Sequence, residues 1–278
     1  MGWLSVGVGD TLITYDWSLG RFSVFSDDGL FIRQFLAPTQ SNRPVGALTS
    51  SMLVTRSEKP VGFNSKAGVG QDTVDLLVVD AAKSSSARIG KFLGSEYLVS
   101  RTARSMSVSD LPFGTELVVA THRMHVYVGT SNRAEIAVMR HDGKILRLVR
   151  WNTIPAPVTP ADIDVYISDR SAEFSPGELR DRMRAQFEQA PFPTSKPLFS
   201  GLLISDDGSM WVRRFSATSH SVATVFDVFD STGRSLGSVD MPTGFQPTQI
   251  APDFTIGTWK DVDDLPHVRL YRLRPRRD

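Results

Sequence analysis

The chain has 278 residues, 41% of them hydrophobic and 22% charged, a balance that fits a folded protein with a sizeable core and not a disordered chain. Its 31 basic and 30 acidic residues nearly cancel, leaving a net charge of +1 and no global field to steer nucleic acid or an anionic membrane. It has no cysteine, which excludes disulfides, thiolate metal sites and cysteine nucleophiles.

Strand signals begin at once. Trp3 to Val6 reads as a first, inner strand, and Leu12, Thr14 and Asp16 then alternate with Ile13 and Tyr15. Phe22-Ser23-Val24-Phe25 leads into an Asp28-Gly29 turn, and Phe31-Ile32-Arg33 leaves it. Asp-Gly between two such runs is a strong hairpin signal, because glycine supplies the positive φ that tight turns need. A second unit is expected from residues 46–54, 73–79 and 87–93, with the polar stretch 57–70 as a long surface loop. A third takes in residues 117–120, 126–128, 135–139 and 145–149.

The β rhythm breaks at residues 159–190, which read as a helical insertion. Thr159-Pro160 is an N-cap followed by proline at the first helical position. Ser175-Pro176-Gly177-Glu178 reads as a capping box, and Leu179, Met183 and Phe187 then form one apolar stripe expected to dock on the β domain. Strands resume through residues 202–204, 210–212, 222–229 and 236–239, and a fifth unit holds residues 249–250, 254–259 and 268–273.

The first hairpin phrase recurs. Val24-Phe25-Ser26-Asp27-Asp28-Gly29 returns as Val138-Met139-Arg140-His141-Asp142-Gly143 and as Val228-Phe229-Asp230-Ser231-Thr232-Gly233. Gly29, Gly143 and Gly233 lie 114 and 90 residues apart, close to two propeller repeats of about 40–50 residues each. The fold predicted is therefore all-β. It is a β-propeller of about five visible four-stranded blades, spanning residues 1–278 as a single domain with residues 159–190 inserted in it.

Three stretches carry a family likeness. They are Gly9-Asp10-Thr11-Leu12-Ile13-Thr14-Tyr15-Asp16 with Arg21 to Phe25, then Asp206-Asp207-Gly208-Ser209-Met210-Trp211-Val212-Arg213-Arg214, and then Val228-Phe229-Asp230 through Gly233 to Gly257-Thr258-Trp259-Lys260-Asp261. With them the chain resembles the bacterial six-bladed β-propeller proteins of the NHL-like kind. That resemblance implies six blades, one more than the sequence displays. Either the ring has five blades or stays open, or the chain lacks an upstream blade; the second is the expectation, with the last sheet ending at an unpaired edge. As written, from Met1, it reads as cytoplasmic; a signal peptide lost upstream would make it periplasmic or extracellular. No run of about 18 apolar residues predicts a membrane span.

Motifs for chemistry are sparse, and no catalytic or metal-binding residue and no cofactor is assigned. His122 and His125, read on one strand, fall on opposite faces. His220 is isolated, and Asp261-Val262-Asp263-Asp264 lacks the glycine and distal glutamate of a calcium loop. Tryptophan and arginine dominate binding hot spots, which makes Arg150, Trp151, Trp211, Arg213, Trp259 and, beside them, Asp261 the candidate ligand residues. The reading that follows is a non-enzymatic binding scaffold, with one face presented to a peptide, glycan or protein. Its rival is a metal-assisted lactonase or lyase with an axial cation, for which Asp253, Asp261 and His267 are the candidate ligands.

Overall fold

The computed structural model describes residues 2–7, 11–37, 42–58, 61–62, 65–101, 105–217, 223–261, 263 and 265–274. Three positions singled out above, His220, Val262 and Asp264, lie outside the described residues, as do Gly9 and Asp10 of the first family stretch.

The described strands form five antiparallel sheets taken up in chain order, and the chain is an all-β propeller with two helices. Blade 1 is β1 (Trp3–Val6), β2 (Leu12–Asp16), β3 (Arg21–Phe25) and β4 (Phe31–Leu36). Blade 2 has five strands: β5 (Asn42–Ala47), β6 (Met52–Glu58), β7 (Gly68–Asp80), β8 (Ser85–Arg101) and β9 (Met106–Asp110). Blade 3 is β10 (Leu117–His122), β11 (His125–Thr130), β12 (Glu135–Arg140) and β13 (Ile145–Arg150). The helices α1 (Pro160–Ala172) and α2 (Glu178–Glu188) follow, then blade 4 with β14 (Phe199–Ile204), β15 (Met210–Arg214), β16 (Val225–Phe229) and β17 (Ser235–Asp240). Blade 5 holds β18 (Phe245–Ile250), β19 (Phe254–Lys260) and β20 (Pro266–Arg272).

Two of these blades depart from the expected four strands. In blade 2 the stretch 57–70 is not one long loop, because β6 runs to Glu58 and β7 starts at Gly68. β7 and β8 are 13 and 17 residues long, so their hairpin outgrows the blade and carries β9 as an extra strand. Blade 5 has three strands among the described residues.

The core lies between blades, as it must when strands present apolar side chains on both faces. Leu76, Val78 and Ile89 of blade 2 meet Val126, Val128 and Met139 of blade 3. Tyr127, Ile136 and Val149 meet Phe199, Met210 and Phe229 across the next seam. Trp211, Phe226 and Val228 meet Phe245 and Ile250 across the seam after that. The first strands β1, β5, β10, β14 and β18 neighbour one another in that order, while β18 and β1 have no comparable side-by-side packing among the described residues.

Register corrects the reading of the two histidines. His122 ends β10 and His125 begins β11, so they are directly paired across a hairpin and not placed along one strand. Burial lowers the pKa of His122, with Arg123 acting in the same direction.

The helices bear out the insertion and move its cap. Thr159 is the N-cap of α1, and its hydroxyl and the Asp162 carboxylate form a capping box. Ser175 caps nothing: α2 starts at Glu178 from an N-cap at Gly177, which has φ 130 and offers no side-chain bond. The Pro176-Gly177 pair therefore delays the helix by two residues relative to the predicted box. Thr159→Ala should cost about 1 kcal/mol and speed amide exchange in α1, whereas Ser175→Ala should change neither by a measurable amount. Native-state hydrogen exchange of the two variants checks both. The apolar stripe is corrected as well. Leu179 is exposed and α2 has no fully buried residue, so Met183 and Phe187 form part of a cavity wall and not a sealed interface.

Candidate ligand-binding site

Antiparallel pairing decides which residues share an end of the ring. In blade 3, Leu117 lies opposite Thr130 and Glu135 opposite Arg150, so these four sit at one end, and His122, His125 and Arg140 sit at the other. The same alternation holds in every blade. One end therefore carries the loops that join blades and those that join second to third strands. The helices α1 and α2, lying between β13 and β14, belong to this end, while the hairpin turns at Gly29, Gly143 and Gly233 belong to the opposite end.

The insertion is pinched at its base and so held over this face. Pro157 bridges Ser195, the Val158 and Lys196 amides donate to the Thr194 and Ala156 carbonyls, and the Leu198 amide donates to the Ser131 carbonyl at 2.7 Å. Lys196 Nζ donates to Asp162 Oδ1 at 2.6 Å; this contact and the Thr159 bonds hold the Asp162 carboxyl down at about 2.

Between the helices and the blade ends lies a cavity of about 500 Å3. Four elements wall it: the overgrown arm of blade 2 (Leu98 and residues 109–110), the loop 111–116 before β10, the two helices, and the loop after β15 (residues 215–217). Phe113 is the hub, its ring 5.5 Å from Tyr166, 5.9 Å from Phe192 and 5.6 Å from Phe215. Tyr166 also meets Phe187 edge-on at 6.2 Å. Phe113 holds φ 56, a conformation rare outside glycine, and is nonetheless 6% exposed. Strain of this kind at a buried loop residue is a feature of ligand sites.

Charge in the cavity is mainly acidic. Asp110, Glu116 and Asp169 line it together with Arg170, which is paired to Glu173 at 2.6 Å. Glu116 projects into solvent yet is flanked by protein on most sides. That crowding, with Asp110 adding to it, pushes its carboxyl up despite the opposing pull of Arg213 and Arg56.

The predicted ligand residues are distributed unevenly about this site. Arg213 is close to it: its guanidinium donates to Ser200 Oγ at 3.1 Å, to the Ser200 carbonyl at 3.0 Å and to Gln246 Oε1 at 3.3 Å, tying β14 to β18. Trp151 packs between Phe199 and Phe229 at 5.9 and 5.3 Å, and Arg150 is paired with Glu135 at 2.5 Å on the outer rim. Trp211 is 8% exposed, wedged between blades 4 and 5, and has almost no surface to offer a ligand. Trp259 has the Arg269 guanidinium 3.4 Å over its ring, which fills the face a ligand would use. Asp261 spends its oxygens on its own loop, accepting from the Asp263 and Leu265 amides at 3.0 Å each and from His267 Nε2 at 2.7 Å. These bonds, His267 foremost, hold its carboxyl below the usual range.

The residues that do converge, Asp110, Phe113, Glu116, Tyr166 and Phe187, were not singled out from the sequence. A usable signal existed in Leu111-Pro112-Phe113-Gly114, where two large apolar residues sit in a turn sequence with no strand to bury them.

The axial-cation ligands do not come together. Asp261 and His267 are partners at the helix-bearing end, but Asp253 precedes β19 at the opposite end, seven strand residues away. Among the described residues no three His, Asp or Glu side chains are grouped to hold a metal.

No protein-family model matches this sequence, and no curated protein matches it either. Solved structures do. A member of the DUF4221 family from Bacteroides vulgatus is 9% identical with a TM-score of 0.50, over 95% of this chain and 76% of that one. The gluconolactonase of Xanthomonas campestris is 11% identical with a TM-score of 0.42, over 92% of this chain and 68% of that one. A streptogramin B lyase is 12% identical with a TM-score of 0.38, over 98% and 68% respectively. At these identities the likeness concerns fold alone: the class is a β-propeller. No helix among the described residues is long and apolar enough to cross a membrane.

Proposed function

We propose that this chain is a non-enzymatic binding propeller that takes a peptide, glycan or protein partner on its helix-bearing face. The observation that carries the reading is the aromatic cavity of about 500 Å3 between the insertion and the blade ends. It lies within the usual size range of ligand sites, and three chain segments far apart in sequence, 98–116, 166–190 and 215–217, build it. The same reading treats the chain as one propeller of the six-bladed, NHL-like kind with residues 159–190 inserted. In support, the outward faces of the first and last sheets expose Leu4 and Val6 on one and Val268 and Leu270 on the other, surfaces that a further blade would cover.

The enzyme reading has less behind it, because Asp253 is separated from Asp261 and His267 along the full length of β19. A library of short peptides and oligosaccharides, screened by chemical-shift mapping, tests the proposal. Hits should perturb Phe113, Tyr166 and Phe187, and Tyr166→Ala should weaken them by about tenfold. Hits that instead map to the Asp-Gly turns of the opposite face would overturn it.

A further inference from the structure

The walls of the cavity also constrain the charge of what it holds. Three carboxylates line it, while the guanidinium of Arg170 is already engaged by Glu173 at 2.6 Å. The rings of Phe113, Tyr166 and Phe187 supply the remaining wall, and aromatic faces carry partial negative charge. An anionic ligand would be repelled by all of these groups. A neutral glycan would stack on the rings but bring no charge to Asp110 and Glu116.

From this lining we infer that the cavity takes a cationic group carried on an apolar body, specifically a lysine or arginine side chain of a peptide partner flanked by an apolar residue. The inference rests on the binding reading above and names the anchor of its ligand. The apolar body would lie on Phe113 and Phe187, and the cation would sit between the ring faces and the Glu116 and Asp110 carboxylates, where cation–π and Coulomb attraction add. The peptide source is favoured because β9, the outermost strand of blade 2, ends at Asp110 in the cavity wall, and its far edge pairs with no strand among the described residues. An extended peptide can add to such an edge and direct alternate side chains into an adjoining cavity. Protein crowding and the like charge of Asp110 push the Glu116 carboxyl up, and an incoming cation would stabilise its charged form against both.

The test uses the full chain and three probes that share a phenylbutyl body: 4-phenylbutylammonium, 4-phenylbutanol and 5-phenylpentanoate. At neutral pH the ammonium should bind about tenfold more tightly than the alcohol, and the carboxylate most weakly. Glu116→Gln and Asp110→Asn should each remove most of that preference, with near-ultraviolet circular dichroism and the melting temperature of each variant matched to the parent to show that it folds. Acidification should weaken the preference as Glu116 takes up its proton, at a pH above that of an ordinary glutamate; Asp110, Arg213 and Arg56 are the other charges that act on it, and Asp169 and Arg170 line the same cavity. Acetyl-Phe-Lys-Leu-amide should likewise exceed its norleucine counterpart, and equal affinity of this pair would overturn the peptide source. Equal binding of ammonium and alcohol at the cavity would overturn the cation inference and leave the binding reading standing. Failure of every probe and every library hit to perturb Phe113 or Tyr166 would remove both.

Discussion

Gly143→Ala should destabilise the protein by about 3 kcal/mol, whereas Gly29→Ala should cost only about 1 kcal/mol. Both glycines close the same recurring hairpin phrase, and both have positive φ, 88 and 78. That shared conformation accounts for the common part of the cost, since an L side chain at positive φ is penalised by about 1–2 kcal/mol. The difference lies in what surrounds each turn. A Cβ on Gly143 would fall 2.3 Å from the Ile89 carbonyl oxygen in β8 of the neighbouring blade, whereas a Cβ on Gly29 would meet nothing within 4 Å. Backbone held in a sheet cannot yield as a side chain can, so the seam between blades 2 and 3 must open. Urea titrations of the two variants measure the gap, and equal costs would mean that the turn does not tuck under blade 2.

Phe199→Ala should cost about 3–5 kcal/mol, the range for a large core ring removed without collapse of the site. Phe199 is 1% exposed and occupies the seam between blades 3 and 4, within reach of Trp151 and close over Gly129. Gly129 leaves room for the ring and has no side chain of its own to fill the space it would vacate. Phe31→Ala is the matched control: that ring is 59% exposed on the outermost strand of blade 1, and its loss should cost less than about 1 kcal/mol. Equilibrium unfolding of both variants, with near-ultraviolet circular dichroism to follow the aromatic packing, checks the contrast. A cost below about 1 kcal/mol for Phe199 would mean that blades 3 and 4 do not share a packed core.

The all-β class, the order of the hairpins and the place of the helical insertion are legible in the order of residues alone. Each of these depends on short-range physics: period-2 alternation, the positive φ of Asp-Gly turns, and the N-cap that Thr159 forms next to Pro160. The failures of sequence reasoning have the same origin. Ser175 satisfied a local capping pattern that Gly177 then displaced, and His122 and His125 were assigned to one strand when a tight turn makes them partners across two. Tryptophans chosen for their residue type turned out to be occupied, Trp211 by an inter-blade seam and Trp259 by Arg269. Where a ligand could go is visible only in the folded chain. Asp110 and Phe113 meet Tyr166 and Phe187 because the arm of blade 2 overgrows its sheet and the insertion folds back over the blade ends. No periodicity spans the 53 residues between Phe113 and Tyr166. Residues that far apart become neighbours through ring geometry, which depends on inter-blade packing and not on local pattern.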